Sequence, residues 1–500
     1  MQLTKTDYLE FLFCKKNLWL KKHKPELFEG VELSEFEKKI IEEGNIADEA
    51  ARHLFPEGVL VTTHEAEAIE DTKQYIDRKE KVIFQAAISV DSFLIRADIL
   101  VWNDALSAWE LYEVKATNEV KRKKNHNHIK DISFQKQVCE QAGIPIGKCG
   151  IIHLNGEYKR HSSFSWRDVF MVEEVTEEVA EVVEEVTAEM EDMKRSMDMP
   201  EGSGCECIYR GRSNQCTTFA YSNPQVPEYS IHDLHRIGLS KKKIENWVDE
   251  GIFTLEDIPD VSILNDKQAL QVEVYRSQKP LIDTHTIKEE LDTLTFPLYF
   301  FDYEGYGTAI PEFTGYSSFE QVPFQYSLHI LHEDGTIEHR DHLVRKRKSD
   351  IARSLVEQLT DDIGSKGSII SWHKSYEEGR NKTLARVYPE YAPFFEDMNE
   401  RMFDLETIFT KQLYVHQDFK GKTSIKKVLP VLVPELTYDD LSVRAGDQAM
   451  ERWEYMLSEE CEDEDAIYHD LLEYCKQDTW AMVKIYEHLL GVCGIKVEIK

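Results

Sequence analysis

Two residues of opposite charge stand two positions apart in the segment WELYEVKAT, which begins at Trp109. Glu113 and Lys115 flank one valine there, and side chains two apart on a strand lie on the same face. Such a carboxylate and ammonium group can form a plain ion pair. They can also act on a phosphodiester, the carboxylate by binding a metal ion and the ammonium group by stabilising developing charge.

A second carboxylate favours the metal site. Asp98 lies in IRADILVW, among apolar strand residues, where a buried carboxylate is costly unless it is paired or binds a metal. The connection from Asn103 to Ala108 is short enough to make the two strands neighbours. Asp98 would then lie beside Glu113, and two carboxylates this close repel each other unless a cation joins them. We predict Mg²⁺ or Mn²⁺ at Asp98 and Glu113, because both ions prefer oxygen ligands, with Lys115 as a further catalytic residue.

The C-terminal part of the chain carries a second set of acids. Asp302 and Glu304 stand two apart in YFFDYEGYG, on a strand rich in aromatic residues. Far downstream, LLEYCKQDTW places Tyr474 and Asp478 one helical turn apart on one face. Asp302, Glu304 and Asp478 are the oxygen ligands expected of a second divalent metal centre. Asp404, in MFDLETIF, is either a further acid or the N-cap of the helix that follows it.

The nine cysteines are expected to be reduced thiols or metal ligands, since the composition is typical of a cytoplasmic protein. Five occur singly and read as packing residues. The other four would suit an iron–sulfur cluster, zinc or no ligand at all. These four are Cys14, Cys205, Cys207 and Cys216.

The elements that must position these residues fall into three segments. Residues 1–222 read as mixed α/β, with helices over 8–20, 36–54 and 172–193 and four strands between them. Residues 223–292 follow a proline-containing linker and read as a helical module that is similar to helix-hairpin-helix units. Residues 293–500 begin with a β-meander and end in helices. We predict an α/β multidomain protein with these boundaries.

Composition limits the function classes. The formal net charge of −33 argues against a nonspecific coat for nucleic acid, although the run from Val120 to Lys130 is basic enough to contact phosphate. No apolar run approaches the ~18 residues that span a bilayer, and the first residues lack the features of a signal peptide. We therefore expect a cytoplasmic protein with no membrane partner.

The N-terminal pattern Asp-x(n)-Glu-x-Lys resembles the PD-(D/E)xK nucleases with a restriction-endonuclease-like core. Gln135, in FQKQVCEQAGI, matches the glutamine motif of the RecB-type members, although Cys139 stands where they usually have tyrosine. The segment EEGNIADEAARHLFPEG is similar to their first helical motif, so Asp48 or Glu49 could complete the metal shell. One N-terminal cysteine followed by three later ones resembles the iron–sulfur RecB-like nucleases, which implies a [4Fe–4S] cluster as a staple. Zinc is the chemical alternative.

The C-terminal pattern resembles the DnaQ-like exonucleases, which have a ribonuclease-H-like fold. The Asp302 and Glu304 pair matches their first motif, and Tyr474 with Asp478 matches their last. There the tyrosine positions the attacking water and the aspartate holds metal. SWHKSYEEGRN is similar to the middle motif, with Glu377 in the place of an aspartate.

Both halves, in this order, resemble a bacterial family that joins an iron–sulfur RecB-like nuclease to a DnaQ-like exonuclease. The resemblance implies a metal-dependent DNA nuclease with two active centres, acting on single strands or free ends in repair or in defence against phage and other foreign DNA. The C-terminal centre would remove nucleotides from 3′ ends. Two alternatives stay open: an RNA exonuclease, and a nucleic-acid-binding scaffold in which one or both centres are inactive.

Overall fold

The computed structural model describes residues 1–30, 33, 35–123, 127–496 and 499–500. The chain forms two compact units, the first made of residues 1–226, 308–311 and 317–319 and the second of the remainder. Both are α/β with mixed sheets. No helix within the described ranges is both long enough and apolar enough to cross a bilayer. The predicted boundary after residue 222 lies close to the division between the units, and the predicted helical module of residues 223–292 falls almost wholly in the second unit.

The first unit alternates helices with the strands of one sheet. Its helices and strands are β1 (Leu3–Thr4), α1 (Lys5–Phe13), α2 (Lys15–His23), α3 (Glu35–Ala51), β2 (Val59–Leu60), α4 (Glu65–Asp77), β3 (Val82–Val90), β4 (Phe93–Asn103), β5 (Ala108–Lys115), α5 (His128–Gln141), β6 (Ile146–Leu154), α6 (Trp166–Val169), β7 (Phe170–Glu174), α7 (Thr176–Met197) and α8 (Phe219–Ser222).

The sheet of the first unit has the strand order β2-β3-β4-β5-β6-β7, with β1 beside β4. The meander β3-β4-β5 is antiparallel. Helix α5 then crosses over and brings β6 parallel to β5. One apolar cluster includes residues of α1, α5 and α7, and another includes alanines of α3. The four strands expected in this segment are confirmed within about three residues at their ends.

Two expectations for this unit were wrong at particular points. Residues 172–174 belong to β7 and not to the predicted helix, because pairing with β6 places Val172 opposite Ile152. The predicted helix over 8–20 is broken at Cys14, which has extended backbone and caps α2 by accepting a hydrogen bond on its sulfur from the backbone N–H of Asn17. Because of this break, Cys14 lies between α1 and α2 and belongs to neither helix.

The second unit contains a five-stranded sheet, a two-stranded sheet and the longest of the helices described. Its helices and strands are α9 (Lys241–Asp249), α10 (Asp266–Ser277), β8 (Leu281–Ile282), α11 (Thr284–Leu291), β9 (Leu298–Tyr306), β10 (Val322–Leu331), β11 (Ile337–Leu343), α12 (Arg353–Asp362), β12 (Ser368–Ser371), α13 (Ser375–Val387), α14 (Ala392–Glu400), β13 (Met402–Asp404), α15 (Thr407–Thr410), β14 (Tyr414–Val415), α16 (Ile425–Leu432), α17 (Gly446–Met456) and α18 (Glu464–Val492).

The five-stranded sheet has the order β11-β10-β9-β12-β13. Strands β9, β10 and β11 form the expected antiparallel meander, and β12 joins the other side of β9 as a parallel strand. Strand β9 is therefore central and nearly every residue in it is buried, which explains its run of aromatic residues. Of the two carboxylates on this strand, Glu304 is buried and Asp302 is half-buried.

Candidate metal centres

The first candidate centre lies on the central meander of the first unit. Residues Ile99 and Tyr112 are paired across β4 and β5, and the next step of the same antiparallel register places Asp98 opposite Glu113. The backbone N–H of Val114 donates to Oδ2 of Asp98 over 2.8 Å. The structure therefore brings together the two carboxylates that sequence reasoning expected to be neighbours.

Glu113 is almost wholly buried, at 1% exposure, and its two oxygens are held by three side chains. Oε1 accepts from the ammonium groups of Lys115, over 2.7 Å, and Lys5, over 2.6 Å. Oε2 accepts from Nε2 of Gln135 over 2.6 Å. Lys115 also pairs with Asp131, one turn before Gln135 on α5. The structure therefore contains the Glu113–Lys115 ion pair, and it also brings the candidate catalytic residue Gln135 into contact with Glu113.

The two lysines give the two carboxylates different acidities. Burial alone would raise the pKa of Glu113, but the ammonium groups of Lys115 and Lys5 outweigh it and lower that pKa. Burial raises the pKa of Asp98 well above its ordinary range, and the neighbouring Glu113 charge raises it further. Glu113 is therefore ionised at neutral pH, while Asp98 favours its charge only when another cation lies nearby.

A strained position in β3 adds a residue to this centre. Gln85 has a left-handed backbone with φ of 55°, and it is not paired across to β4, although the β3–β4 register is the same on both sides of it. Its amide donates to Oδ1 of Asp98 over 3.4 Å. Left-handed backbone at a residue other than glycine is rare and is often found at functional sites.

Asp48, on α3, is the member of the Asp48 and Glu49 pair that reaches this centre. Burial raises its pKa, Arg52 opposes the shift, and the charge of Glu113 adds to it. Oδ1 of Asp48 and Oε1 of Gln135 are buried, and neither has a hydrogen-bond partner within the described part of the chain. Buried oxygens without a donor are suited to a hard cation.

Sequence reasoning missed Lys5 and Asp131. Asp131 stands four residues before Gln135 on one helix, so the i, i+4 spacing could have identified it. Lys5 is 108 residues from Glu113 in sequence, and no local pattern signals that contact.

Two basic side chains of the run after β5 form ion pairs. Arg122 forms ion pairs with Glu173 and Glu178. Lys130 pairs with two glutamates of α7. Residues 124–126 of the run lie outside the described residues. Glutamates of β7 and α7 thus form ion pairs with basic side chains that we expected to contact phosphate.

The second candidate centre lies on β9. Asp302, Glu304 and Cys475 each present a ligand atom, and these atoms lie within 4.8 Å of one another. Asp302 and Glu304 come from the strand and Cys475 from α18, four residues beyond Leu471, whose carbonyl accepts from Gln325 of β10. Cys475 was read from sequence as a packing residue. It does pack, but its thiol also contacts Oδ2 of Asp302 at 3.9 Å.

The acids of this centre raise one another's pKa. Burial raises the pKa of Glu304 to about 8, with the charge of Asp478 adding to the shift. Burial raises the pKa of Asp302 well above its ordinary range, and Asp478 and Glu304 raise it further. Burial raises the pKa of Asp478 to about 6, against the hydrogen bond from Tyr438. The three acids that we named from sequence therefore lie within electrostatic range of one another.

Two tyrosines and a lysine border the acids. The hydroxyl of Tyr438 donates to Oδ1 of Asp478 over 2.6 Å. Tyr474 is one turn before Asp478 on α18, as expected, and also lowers its pKa by hydrogen bonding. The ammonium group of Lys426 lies 3.5 Å from the hydroxyl of Tyr474 and its charge partly offsets that of Glu304. Sequence reasoning assigned no role to Tyr438 or Lys426.

Glu377 lies in the first turn of α13, directly after β12, and is 1% exposed. Burial raises its pKa to about 8, and its charge contributes to the raised pKa of Asp302. Its Oε2 is buried without a hydrogen-bond partner among the residues described. Asp404 ends β13, and its Oδ1 accepts from the backbone N–H groups of His373 and Glu406. Asp404 therefore caps backbone groups and also lies near enough to Glu377 to raise its pKa.

Cys14, Cys205, Cys207 and Cys216 form the third centre. Their sulfur atoms all lie within 4.8 Å of one another, although Cys14 comes from the break between α1 and α2 and the others from the segment after α7. This cluster of four sulfur atoms is compatible with a metal site. Contact with Cys205 raises the pKa of Cys14, and the same contact lowers the pKa of Cys205. Ionisation of Cys205 thus opposes ionisation of Cys14, and a bound cation would relieve that opposition.

Two comparisons relate parts of this chain to known sequences. A family model described as "Domain of unknown function (DUF2779)" matches residues 299–424, which contain Asp302, Glu304 and Glu377. A protein of Ureaplasma parvum serovar 3, titled "Uncharacterized protein UU173", is 25% identical over 294 residues. That similarity covers 53% of this chain and 40% of the relative. Neither title names a reaction.

Proposed function

We propose that this protein is a metal-dependent nuclease with two active centres that hydrolyses phosphodiester bonds in DNA. The observation that carries the proposal is the electrostatics of the second centre. Asp302, Glu304 and Asp478 come from two elements, and burial raises the pKa of each. The charge of neighbouring acids raises the pKa of Asp302 and Glu304 further. These two acids therefore favour their charged forms near neutral pH only when a cation lies nearby.

The donor chemistry fits Mg²⁺ or Mn²⁺. The carboxylates of Asp302, Glu304 and Asp478 offer hard oxygen atoms, and the unpartnered Oε2 of Glu377 adds another. When bound, such ions supply a Lewis acid for the phosphoryl oxygens and lower the pKa of an attacking water.

The side chains around the second centre have separable roles in this proposal. Tyr474 keeps its hydroxyl protonated, because burial raises its pKa well above the ordinary range, and can therefore donate to an attacking water or a phosphate oxygen. Lys426 places a positive charge 3.5 Å from that hydroxyl. Tyr438 fixes Asp478 by the 2.6 Å hydrogen bond. Cys475 contacts Asp302 and limits its movement.

At the first centre Lys115 would stabilise negative charge on the phosphate while Asp98 and Glu113 hold the metal. Lys115 stays protonated, because the charges of Asp131 and Glu113 outweigh the effect of burial and raise its pKa. Gln135 holds Oε2 of Glu113, and Gln85 holds Oδ1 of Asp98. These hydrogen bonds would orient both carboxylates before any ligand arrives.

The strand orders support the two fold assignments that the motifs suggested. In the first unit an antiparallel meander is followed by a crossover helix and a parallel strand, and the acids lie on the central strands. This arrangement suits a restriction-endonuclease-like core. In the second unit a meander carries the first acids on its central strand and helices follow, which suits a ribonuclease-H-like exonuclease. By that resemblance the second centre would remove nucleotides from 3′ ends.

One observation favours a different role for the first centre. Oε1 of Glu113 already accepts from two ammonium groups, so its charge is balanced without a metal ion. In this second candidate function the first centre is inactive and its unit binds nucleic acid, while the second centre cuts.

The test is degradation of end-labelled single-stranded and double-stranded DNA, and of the matching RNA, with Mg²⁺ or Mn²⁺. Asp302→Ala should abolish removal of 3′ nucleotides, and Lys115→Ala should abolish any cleavage due to the first centre. The matched controls are Asp361→Ala, at an exposed position, and Lys148→Ala, at a half-buried position, and both should cut like wild type.

Each outcome decides between the candidates. Loss of activity in Asp302→Ala alone means that the first centre is inactive. Faster cleavage of RNA than DNA would replace the DNA assignment with the RNA exonuclease. A wild-type protein that cuts none of the substrates would overturn the nuclease proposal.

A further inference from the structure

The four-cysteine centre is closely packed. The sulfur atoms of Cys205 and Cys216 are 3.8 Å apart, and all four sulfur atoms lie within 4.8 Å of one another. The surroundings are apolar, with Phe219 packed against the thiols, and Cys207 is fully buried. These distances can be compared with the size of the group that the sulfurs would hold.

A single ion and a four-iron cluster need different sulfur spacings. A tetrahedral ion with metal–sulfur bonds of about 2.3 Å separates its four ligand sulfurs by roughly 3.8 Å. In a [4Fe–4S] cubane each thiolate binds a different iron at an outer corner, which separates the thiolate sulfurs by roughly 6 Å. The observed upper limit of 4.8 Å fits the first spacing and is too small for the second.

We propose that the four cysteines bind one zinc ion as a closed tetrahedral site. Zinc takes four thiolates readily, and four protein ligands leave no coordination position for a substrate. The short Cys-x-Cys spacing agrees with this, because it places Cys205 and Cys207 close to one another at the start of the 3₁₀ turn Glu206–Tyr209. The iron–sulfur staple implied by the family resemblance does not fit this geometry.

The groups around the sulfurs favour thiolates. Nδ2 of Asn223 donates to the sulfur of Cys205 over 3.2 Å, and the backbone N–H of Asn17 donates to that of Cys14 over 3.4 Å. The guanidinium of Arg210 lies 3.5 Å from the sulfur of Cys207. Four thiolates and one Zn²⁺ carry two net negative charges, and these donors offset part of that charge.

The zinc site has a structural role that does not depend on the nuclease proposal. It joins the α1–α2 break to the segment that follows α7, and its ligands are separate from the carboxylates of both other centres. A protein that cuts no nucleic acid could still bind this ion, and an active nuclease could lack it.

The first experiment measures the metal in wild-type protein purified without oxygen from cells supplied with both zinc and iron. Metal content, acid-labile sulfide and zinc X-ray absorption are recorded on the same sample. We expect one zinc per chain, no labile sulfide, and a shell of four sulfurs at about 2.3 Å. About four irons and four sulfides per chain, with absorbance near about 400 nm, would overturn the proposal.

Protein stripped of metal is then titrated separately with Zn²⁺ and with Fe²⁺ plus sulfide. Uptake of one zinc ion, with no four-iron cluster formed, supports the proposal. Failure to take up zinc, or assembly of a four-iron cluster, contradicts it. Replacement by Co²⁺ should give the intense visible absorption of a tetrahedral cobalt thiolate, which a four-iron site cannot give.

Variants connect the ion to these residues. Cys207→Ser should weaken zinc binding by at least about 100-fold, and Cys461→Ser, outside the centre, should leave it unchanged. If Cys207→Ser does not fold, Asn223→Ala is the second variant, because it keeps all four thiolates. It should retain one zinc per chain with an affinity about tenfold lower. Unchanged zinc binding in both variants would place the ion elsewhere.

Discussion

The two carboxylate centres differ in how their charge is balanced. At the first, Lys5 and Lys115 both contact Glu113, and its pKa is low. At the second, burial and mutual repulsion raise the pKa of Glu304 to about 8, and Lys426 only partly opposes this shift. Glu113 and Glu304 are both buried on central strands, so burial alone does not determine their charge.

This difference separates two ways of keeping carboxylates inside a protein. A built-in ammonium group makes the first centre stable without a metal ion, but a metal must then compete with it for Glu113. Among the residues that the structure describes, no ammonium group forms an ion pair with Asp302 or Glu304, so these two acids stay partly protonated until a cation arrives. The first centre should therefore depend on its lysines and the second on divalent ions.

The largest expected effect comes from removing Lys115. Lys115→Met leaves Glu113 and Asp131 without their shared cation, and breaking such a buried pair should cost about 3 kcal/mol of unfolding free energy. Urea unfolding, with hydrogen exchange of β5 and α5, measures the loss. Lys148→Met is the control, because its pair with Glu174 is exposed and should contribute less than about 0.5 kcal/mol. Equal effects of the two substitutions would mean that the ion pair does not stabilise the first centre.

The next effect is the response to manganese. At 100 times its dissociation constant, Mn²⁺ should stabilise the second unit by about 2.7 kcal/mol, because it binds only the folded form. Hydrogen exchange of β9 peptides measures this protection. Asp302→Asn should remove the response, and the exposed control Asp361→Asn should keep it. If β9 peptides exchange hydrogen equally fast with and without Mn²⁺, the proposed dependence of the second centre on divalent ions is wrong.

A smaller effect is expected for Glu304→Gln in metal-free buffer. Below pH about 4 the carboxyl of Glu304 is protonated in both the folded and unfolded chain, so its charge has no effect there. Between pH about 4.5 and 8 the unfolded chain ionises first, because the folded pKa is about 8, and stability falls as pH rises. The uncharged glutamine should therefore stabilise the protein by about 2 kcal/mol at pH 6 and by nearly nothing at pH 4.

Urea unfolding at the two pH values measures this difference. Glu338→Gln, at an exposed position of β11, is the control and should show no such rise. A Glu304→Gln variant that is equally stabilised at pH 4 and pH 6 would mean that ionisation of Glu304 is not the source.

The smallest effect is expected for Tyr438→Phe. Loss of the 2.6 Å hydrogen bond to Asp478 should cost about 1 kcal/mol at pH 8 and raise the pKa of Asp478 further. A double-mutant cycle with Asp478→Asn isolates the pair. Tyr455→Phe, at an exposed position of the same unit, is the control. A coupling energy near zero in the cycle would show that Tyr438 does not support Asp478.

Much of the sheet framework could be predicted from sequence. The strands β3, β4, β5 and β9 to β12 appear as apolar or alternating runs bounded by turn residues, and the period of two fixes which side chains share a face. That rule is enough to place Glu113 with Lys115 and Asp302 with Glu304. The pairing of Asp98 with Glu113 followed from the short connection between their strands.

The remaining features depend on tertiary contacts. Lys5 reaches Glu113 from α1, and Tyr438 reaches Asp478 from an irregular segment, so neither contact leaves a local pattern. Pairing with β6 overrides helical periodicity at Val172. Cys14 interrupts a helical pattern because its sulfur caps the next helix. Sequence reasoning recognised the four thiols as a set, but only the sulfur distances distinguish one ion from a cluster.

The meeting of Cys14 with the segment after α7 also affects the unfolded chain. An ion held between them closes a ring of roughly 190 residues. In the chain-entropy view, a ring of this length removes about 5 kcal/mol of freedom from the denatured ensemble. Strands that never touch the thiolates, β4 and β5 among them, would therefore also be stabilised by an ion bound at the four cysteines.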